Sequence, residues 1–350
     1  MVRHGGAVAL TRPGRRADLD EDDVRVRPGR GSRPRTRRRP AHEDAADAFV
    51  TAVDRGRYTC VLTSDDAVEV QVTAMKAREL VRGSVVVGDR VSLAGDVSGD
   101  PGTLARIVRV APRTSVLRRS ADDTDPVERV IVANAEQLGI VTALANPPPR
   151  PRLIDRFLVA AYDAGLDPLL ILTKADLAPP DDLLAVYAPL GIRYVVSGRP
   201  LNDAVAGELR ELLAGRISVL VGHSGVGKST LVNALIPDAD RAVGTVSPAT
   251  GRGRHTSSSV VALPLPGGGW IIDTPGLRSF GLGHISADRV AQAFPDLADG
   301  IANCPPNCSH LGDDCALDAW VSEHDGTGAL AARLDSLRRL LRSRDGRDDG

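Results

Sequence analysis

The chain has 350 residues, and its 44 Lys and Arg against 45 Asp and Glu leave a net charge of −1. A hydrophobic share of 42% and a charged share of 25% are those of a soluble globular protein with room for about two or three domains. No apolar run approaches the roughly eighteen residues of a membrane helix, and no apolar signal-peptide core follows the first residues, so a cytoplasmic protein is expected.

In chain order, residues 1–44 read as a disordered tail. Eight arginines and no acid lie between Arg25 and Arg39, broken by Pro28, Gly29, Gly31 and Pro34, a composition that cannot bury a core. The stretch is either a basic arm for RNA phosphates or a solvated tail. Over 45–112 the pattern becomes short alternating segments: "FVTAVDRGRYTCVLT", "AVEVQVTA", "VVVGDRVSLAG" and "GTLARIVRVAP". Several strands joined by Gly and Asp turns suggest a small β-barrel of the oligonucleotide-binding (OB) kind, although strand counting also allows another small β-domain.

Over 113–285 strands and helices alternate. "QLGIVTAL" and "PLLILTKAD" suit buried parallel strands, with "LIDRFLVAAYDAG" between them as an amphipathic helix ending at Gly165. "IRYVVSG", the helix within "AVAGELRELLAG", the strand "ISVLVG", a helix from Lys228 and the strand in "GWIIDTPG" continue a doubly wound α/β domain. Residues 286–350 hold a cysteine-rich knot and a last helix, whose Leu330, Leu334, Leu337 and Leu341 are expected to pack on the knot's own domain.

Gly222–Ser229 reads G-H-S-G-V-G-K-S, a Walker A motif between a strand and a helix. Gly222, Gly225 and Gly227 allow the backbone to curl its N–H groups toward phosphates; Lys228 would reach the β and γ phosphates, and Ser229, followed by Thr230, would face Mg²⁺. In "DTPG", Asp273 would hold Mg²⁺ through water and the Gly276 N–H would approach the γ-phosphate. In "TKAD", Asp176 can accept from the guanine N1–H and N2–H₂ edge, the Lys174 stem would cover the base, and Thr173 stands where the commonest motif has Asn. Ser197 ends "YVVSG" where a loop N–H would meet guanine O6, or is a plain turn serine. "GRGRHTSS" lies where a switch loop belongs, with Thr256 as its Mg²⁺-sensing hydroxyl.

The base motif precedes the phosphate motif, the reverse of an ordinary GTPase. Each motif sits at the carboxyl end of a parallel strand, so joining the old termini and cutting elsewhere leaves the site intact. The domain therefore reads as a circularly permuted GTPase. The switch and DTPG elements then adjoin the last domain, which nucleotide-driven rearrangement could pull. Leu277 occupies the place of a water-orienting glutamine and cannot orient water. His255 is the candidate substitute, against a solvated loop residue or an RNA contact.

Cys304, Cys308, His310 and Cys315 fall within "CPPNCSHLGDDC". In a cytosolic chain this set suggests one structural Zn²⁺ sooner than disulfides, with redox chemistry the alternative. Cys60, alone in a strand, reads as core.

A small barrel, a permuted GTPase and a terminal Cys/His knot, with "TKAD" before "GHSGVGKST", then "GRGRHT" and "DTPGL", resemble the ribosome small-subunit-dependent GTPase A (RsgA, YjeQ) family over about residues 45–340. The resemblance implies GTP hydrolysis stimulated by the small ribosomal subunit late in its assembly. It also implies rRNA contact through the flanking domains, and His255 as the catalytic histidine. The knot spacing, Cys-x₃-Cys-x-His-x₄-Cys, is one residue tighter in both outer gaps than the pattern of that family. The chain is expected to be a monomer. The rival readings are a GTP-dependent regulatory switch acting on a non-ribosomal protein or RNA, and a P-loop kinase or other metabolic enzyme, against which "TKAD" and "DTPG" speak.

Overall fold

The computed structural model describes residues 42–63, 70–78, 80, 85–119, 129–236, 260–274, 282 and 285–345. Strands β1 (Ala46–Asp54), β2 (Arg57–Leu62), β3 (Gln71–Lys76), β4 (Arg90–Ala94) and β5 (Ala105–Val110) pair in the order β1-β2-β3-β5-β4, and β4 returns to β1 to close a five-stranded barrel. The β3–β5 pair is parallel and the others antiparallel. Alternate residues point inward, so Val50, Cys60, Val72, Ala74, Leu93, Ala105 and Ile107 form its core. The barrel that the alternation predicted is present.

A hairpin of β6 (Val116–Arg119) and β7 (Arg129–Ala133) leads into the second domain. There β8 (Gln137–Ala143), β9 (Asp167–Thr173), β10 (Arg193–Val196), β11 (Ile217–Val221), β12 (Val261–Pro264) and β13 (Trp270–Asp273) form a sheet ordered β10-β9-β8-β11-β13-β12. All neighbouring pairs are parallel except β12 with β13. All seven residues of β8 are buried, as strands covered on both faces require. Helix α1 (Pro151–Ala164) and α2 (Asp181–Tyr187) lie on one face, α3 (Asp203–Leu213) and α4 (Lys228–Leu235) on the other. As predicted, α1 stops at Gly165, whose φ of 67° places it in the left-handed region where its N–H closes the last turn.

The sheet does not end at β12. Ala52 of β1 pairs with Val261, so barrel and nucleotide-type sheet are hydrogen-bonded into one surface, and the Phe49 and Trp270 rings meet 4.9 Å apart across the same junction.

The C-terminal region contains α5 (Ala287–Ala291), α6 (Ala298–Ile301), α7 (Leu317–His324) and α8 (Ala329–Asp345). Leu334, Leu337, Leu340 and Leu341 of α8 are buried, with Leu330 partly so, in a core shared by Phe157 and Leu158 of α1 and by Leu317 of α7. The helix packs on the knot's domain as expected and also on the outer face of α1, because its buried leucines and an arginine-bearing flank find partners on both.

Candidate functional site

At the carboxyl ends of the parallel strands, the loop after β11 turns into α4. A Cβ on Gly222 would lie 2.4 Å from the Val141 carbonyl of β8, so only glycine lets the loop pass so close. Gly227, at φ 96°, makes the left-handed turn that starts α4. Gly225 lies in the same loop, and Ser229 and Thr230 are exposed in the first turn of α4. The Lys228 ammonium pairs with Asp273 Oδ1 and lies 3.2 Å from the Thr274 carbonyl. The Thr274 hydroxyl donates to the Leu220 carbonyl (2.8 Å) and pins the end of β13 to β11.

The second loop, after β9, is tied to the first. The buried Thr173 hydroxyl donates to the Val226 carbonyl at 2.5 Å. Lys174, at φ 60°, holds a backbone conformation unusual for a side-chain-bearing residue, and its ammonium donates to the Gly225 carbonyl at 2.9 Å and to that of Asn146. Asp176 is exposed, and its Oδ1 accepts the Arg199 N–H at 2.8 Å. Thus "TKAD", "GHSGVGKS" and the Asp273 end of β13, distant in sequence, converge on one rim.

Ser197 is buried, and its own N–H donates to the Leu172 carbonyl at 2.7 Å as the last rung between strands. The following residue, Gly198, is the one beside Asp176; a Cβ there would lie 3.8 Å from Asp176 Oδ1. Gly198 was not singled out from the sequence, where the serine was the visible landmark. His255, Thr256, Gly276 and Leu277 lie outside the described residues. Beside the phosphate loop a small open groove is walled by His223 and Val226 on one side and by Arg150, Leu153, Ile154 and Phe157 on the other.

In the C-terminal domain the ligand atoms of Cys304, Cys308, His310 and Cys315 lie within 4.8 Å of one another. Cys304 and Cys315 sulfurs are 3.8 Å apart, and all three cysteines are free, too far for a disulfide. The His310 N–H donates to Cys308 Sγ (3.4 Å), a contact that favours a thiolate. His310 Nδ1 lies 3.9 Å from Cys315 Sγ, and its Nε2 is buried with no hydrogen-bond partner among the described residues. Burial pushes the Cys315 thiol up to about 11 and His310 below its ordinary value. A cation would reverse the first effect by stabilising thiolate. The donor set fits a metal ion and could hold one.

A parallel sheet carrying a Walker A loop, a base-type loop and a DTPG strand, with the strands in permuted order, defines a circularly permuted P-loop GTPase. The RsgA GTPase family model matches residues 110–283. The small ribosomal subunit biogenesis GTPase RsgA of Pseudomonas aeruginosa strain LESB58 is 40% identical over 268 residues, covering 74% of this chain and 76% of that protein. The protein of that name from Chromohalobacter salexigens is 38% identical over 295 residues, covering 82% and 83%. The chain belongs to the RsgA GTPase family. Its fold is that of YjeQ from Thermotoga maritima, with TM-score 0.62, 24% identity and coverage of 87% of this chain and 99% of that one. It is equally that of YloQ, a circularly permuted GTPase, with TM-score 0.61, 21% identity and coverage of 89% and 99%. No helix among the described residues is long and apolar enough to cross a membrane.

Proposed function

We propose that this chain hydrolyses GTP to GDP and phosphate, that the small ribosomal subunit stimulates it, and that it acts late in that subunit's maturation. The name carried by relatives about 40% identical supports the setting. The hydrogen bond that locks Thr173 to Val226 supports the chemistry, because it places a base-reading loop and a phosphate loop on one rim.

In this reading Asp176 accepts from guanine N1–H and N2–H₂, Lys174 covers the base and the Gly198 N–H, next along from Ser197, meets O6. The backbone around Gly222, Gly225 and Gly227, the start of α4 with Thr230, and the Gly276 N–H hold the phosphates. Lys228 leaves Asp273 for the β and γ phosphates. Ser229, Thr256 and Asp273 hold Mg²⁺, which supplies charge neutralisation on the phosphates. His255 positions or deprotonates the attacking water. One Zn²⁺ would be held by Cys304, Cys308, His310 and Cys315 and would serve to fold the domain.

In the C-terminal domain Asp296 is paired with Arg333 and Asp318 with Arg338, and Arg289, Arg339, Arg342 and Arg344 add further cations among the acids. On the barrel, Arg57, Met75 and Arg106 are exposed and lie side by side on β2, β3 and β5, two cations flanking an apolar contact. The barrel and the C-terminal domain, which flank the nucleotide-type sheet, are both read as rRNA contacts, the barrel through this row. The protein acts as a cytoplasmic monomer with the boundaries given above.

The test is GTP hydrolysis by the full chain, with ATP as control, alone and with purified small subunits. Slow GTP turnover that rises manyfold with subunits supports the proposal. Rates unchanged by subunits would leave a GTPase without this partner.

A further inference from the structure

Helix α1 has two working faces. Leu153, Ile154 and Phe157 wall the groove against His223 and Val226 of the phosphate loop. Asp155, between them in sequence, points away from the groove toward α8. It is 2% exposed, and both its oxygens lie 3.1–3.2 Å from Arg339 Nε. The same guanidinium sits 5.0 Å from the centre of the Tyr187 ring and donates to the Val186 carbonyl at 3.2 Å. Tyr187 in turn donates its hydroxyl to the carbonyl of Pro151, the first residue of α1 (3.0 Å). Arg339 thus fixes the start of α1 twice, once through a carboxylate and once through a tyrosine.

The residue before it on the same helix faces the knot. Arg338 Nε donates to the His310 carbonyl (3.1 Å), and its two terminal nitrogens grip Asp318 at 2.7 and 2.5 Å. The buried leucines of α8 keep it from sliding without loss of packing. A buried carboxylate–guanidinium pair is a poor source of net stability compared with apolar packing, but it fixes orientation strongly, since removing one partner strands the other.

We propose that Asp155 is a positioning residue for the nucleotide site, and that Arg338 and Arg339 make metal occupancy of the knot and nucleotide affinity interdependent. The route runs from His310 through Arg338, along one helical step to Arg339, into Asp155 and α1, and so to the groove wall beside the phosphate loop. The inference rests on the assignment of Gly222–Thr230 to nucleotide. By linkage the effect is reciprocal: metal raises nucleotide affinity by the factor by which nucleotide raises metal affinity.

The experiment uses the full chain loaded with Zn²⁺ and a fluorescent GDP analogue, with a zinc-selective chelator that spares Mg²⁺. Removing zinc is expected to weaken the analogue about five- to tenfold, and R338M to weaken it similarly with zinc present. In R339M and D155N zinc removal should change the affinity less than about twofold, with R339K restoring part of the response. The reciprocal titration measures Zn²⁺ affinity of the unaltered chain with and without GDP, and should show the same factor. Equal analogue affinity with and without zinc, or a full zinc response in R339M, overturns the coupling. Should R339M fail to fold, equal Zn²⁺ affinity with and without GDP overturns it alone. An unaltered, zinc-loaded chain that does not bind the analogue at all overturns the nucleotide assignment instead.

Discussion

The Thr173 hydroxyl donates to the Val226 carbonyl across 2.5 Å, joining two motifs that lie 53 positions apart in the chain. A buried carbonyl that loses its donor costs about 1–3 kcal/mol. T173V should therefore weaken a GDP analogue by about ten- to a hundredfold, while T173S, which keeps the donor, should stay close to the parent. Fluorescence titration reads both; equal affinities in T173V and parent would mean that the bond does not organise the rim.

Asp176 Oδ1 accepts the Arg199 N–H with one lone pair, which leaves its second lone pair and Oδ2 for a base. An amide at this position can donate where the carboxylate only accepts. D176N should lose GDP affinity by about ten- to a hundredfold and gain relative affinity for XDP, whose C2 carbonyl needs a donor. Competition between the two nucleotides checks the switch, and a variant that still prefers GDP would remove Asp176 from base reading.

For His255 the expected signature is a split. H255A should slow subunit-stimulated GTP turnover by about a hundredfold, the low end for general acid–base catalysis, with analogue affinity little changed. Loss of affinity without loss of turnover would point to a loop or RNA contact.

Cys60 is fully buried in the barrel, and burial pushes its thiol up to about 12. At pH 8 it is a neutral, inaccessible thiol, so iodoacetamide should spare it in the folded protein. Cys304, Cys308 and Cys315 should be protected while metal is bound and should become modified after chelation. Peptide mass spectrometry distinguishes the sites; modification of the knot that ignores the chelator would argue against a resident metal.

Gly222 offers a steric test. A methyl group 2.4 Å from the Val141 carbonyl forces β8 and the phosphate loop apart, so G222A should cost about 1–3 kcal/mol, lower Tm and abolish nucleotide binding together.

What the sequence made legible is what depends on local chemistry. Gly222 and Gly227 announce a loop only glycine can trace, the run from Gln137 to Ala143 announces a buried strand, and three cysteines with a histidine announce a donor set. The permuted order was legible because strand ends, unlike chain order, decide where a site forms. Other features depend on partners that no local pattern specifies. The leucines of α8 declare an apolar face but not that α1 covers it, and Asp155 looks like any helical acid until Arg339 is seen beside it. That the Ser197 N–H pairs with Leu172 while Gly198 lies beside Asp176 was not legible, because a strand-pairing N–H cannot be distinguished in sequence from a free one. The tighter knot spacing still brings its four donors together, since the left-handed Asn307 and His310, at φ 59° and 58°, shorten the path between them.

The Ala52–Val261 pairing and the Phe49–Trp270 contact join the barrel directly to the nucleotide-type sheet. A domain on a loose tether would adapt to whatever surface it met. Here the exposed row of Arg57, Met75 and Arg106 stands at a set angle to the nucleotide rim, like the two arms of a carpenter's square. If the barrel row holds rRNA as proposed, a partner would meet both arms only where its own contact points match that placement.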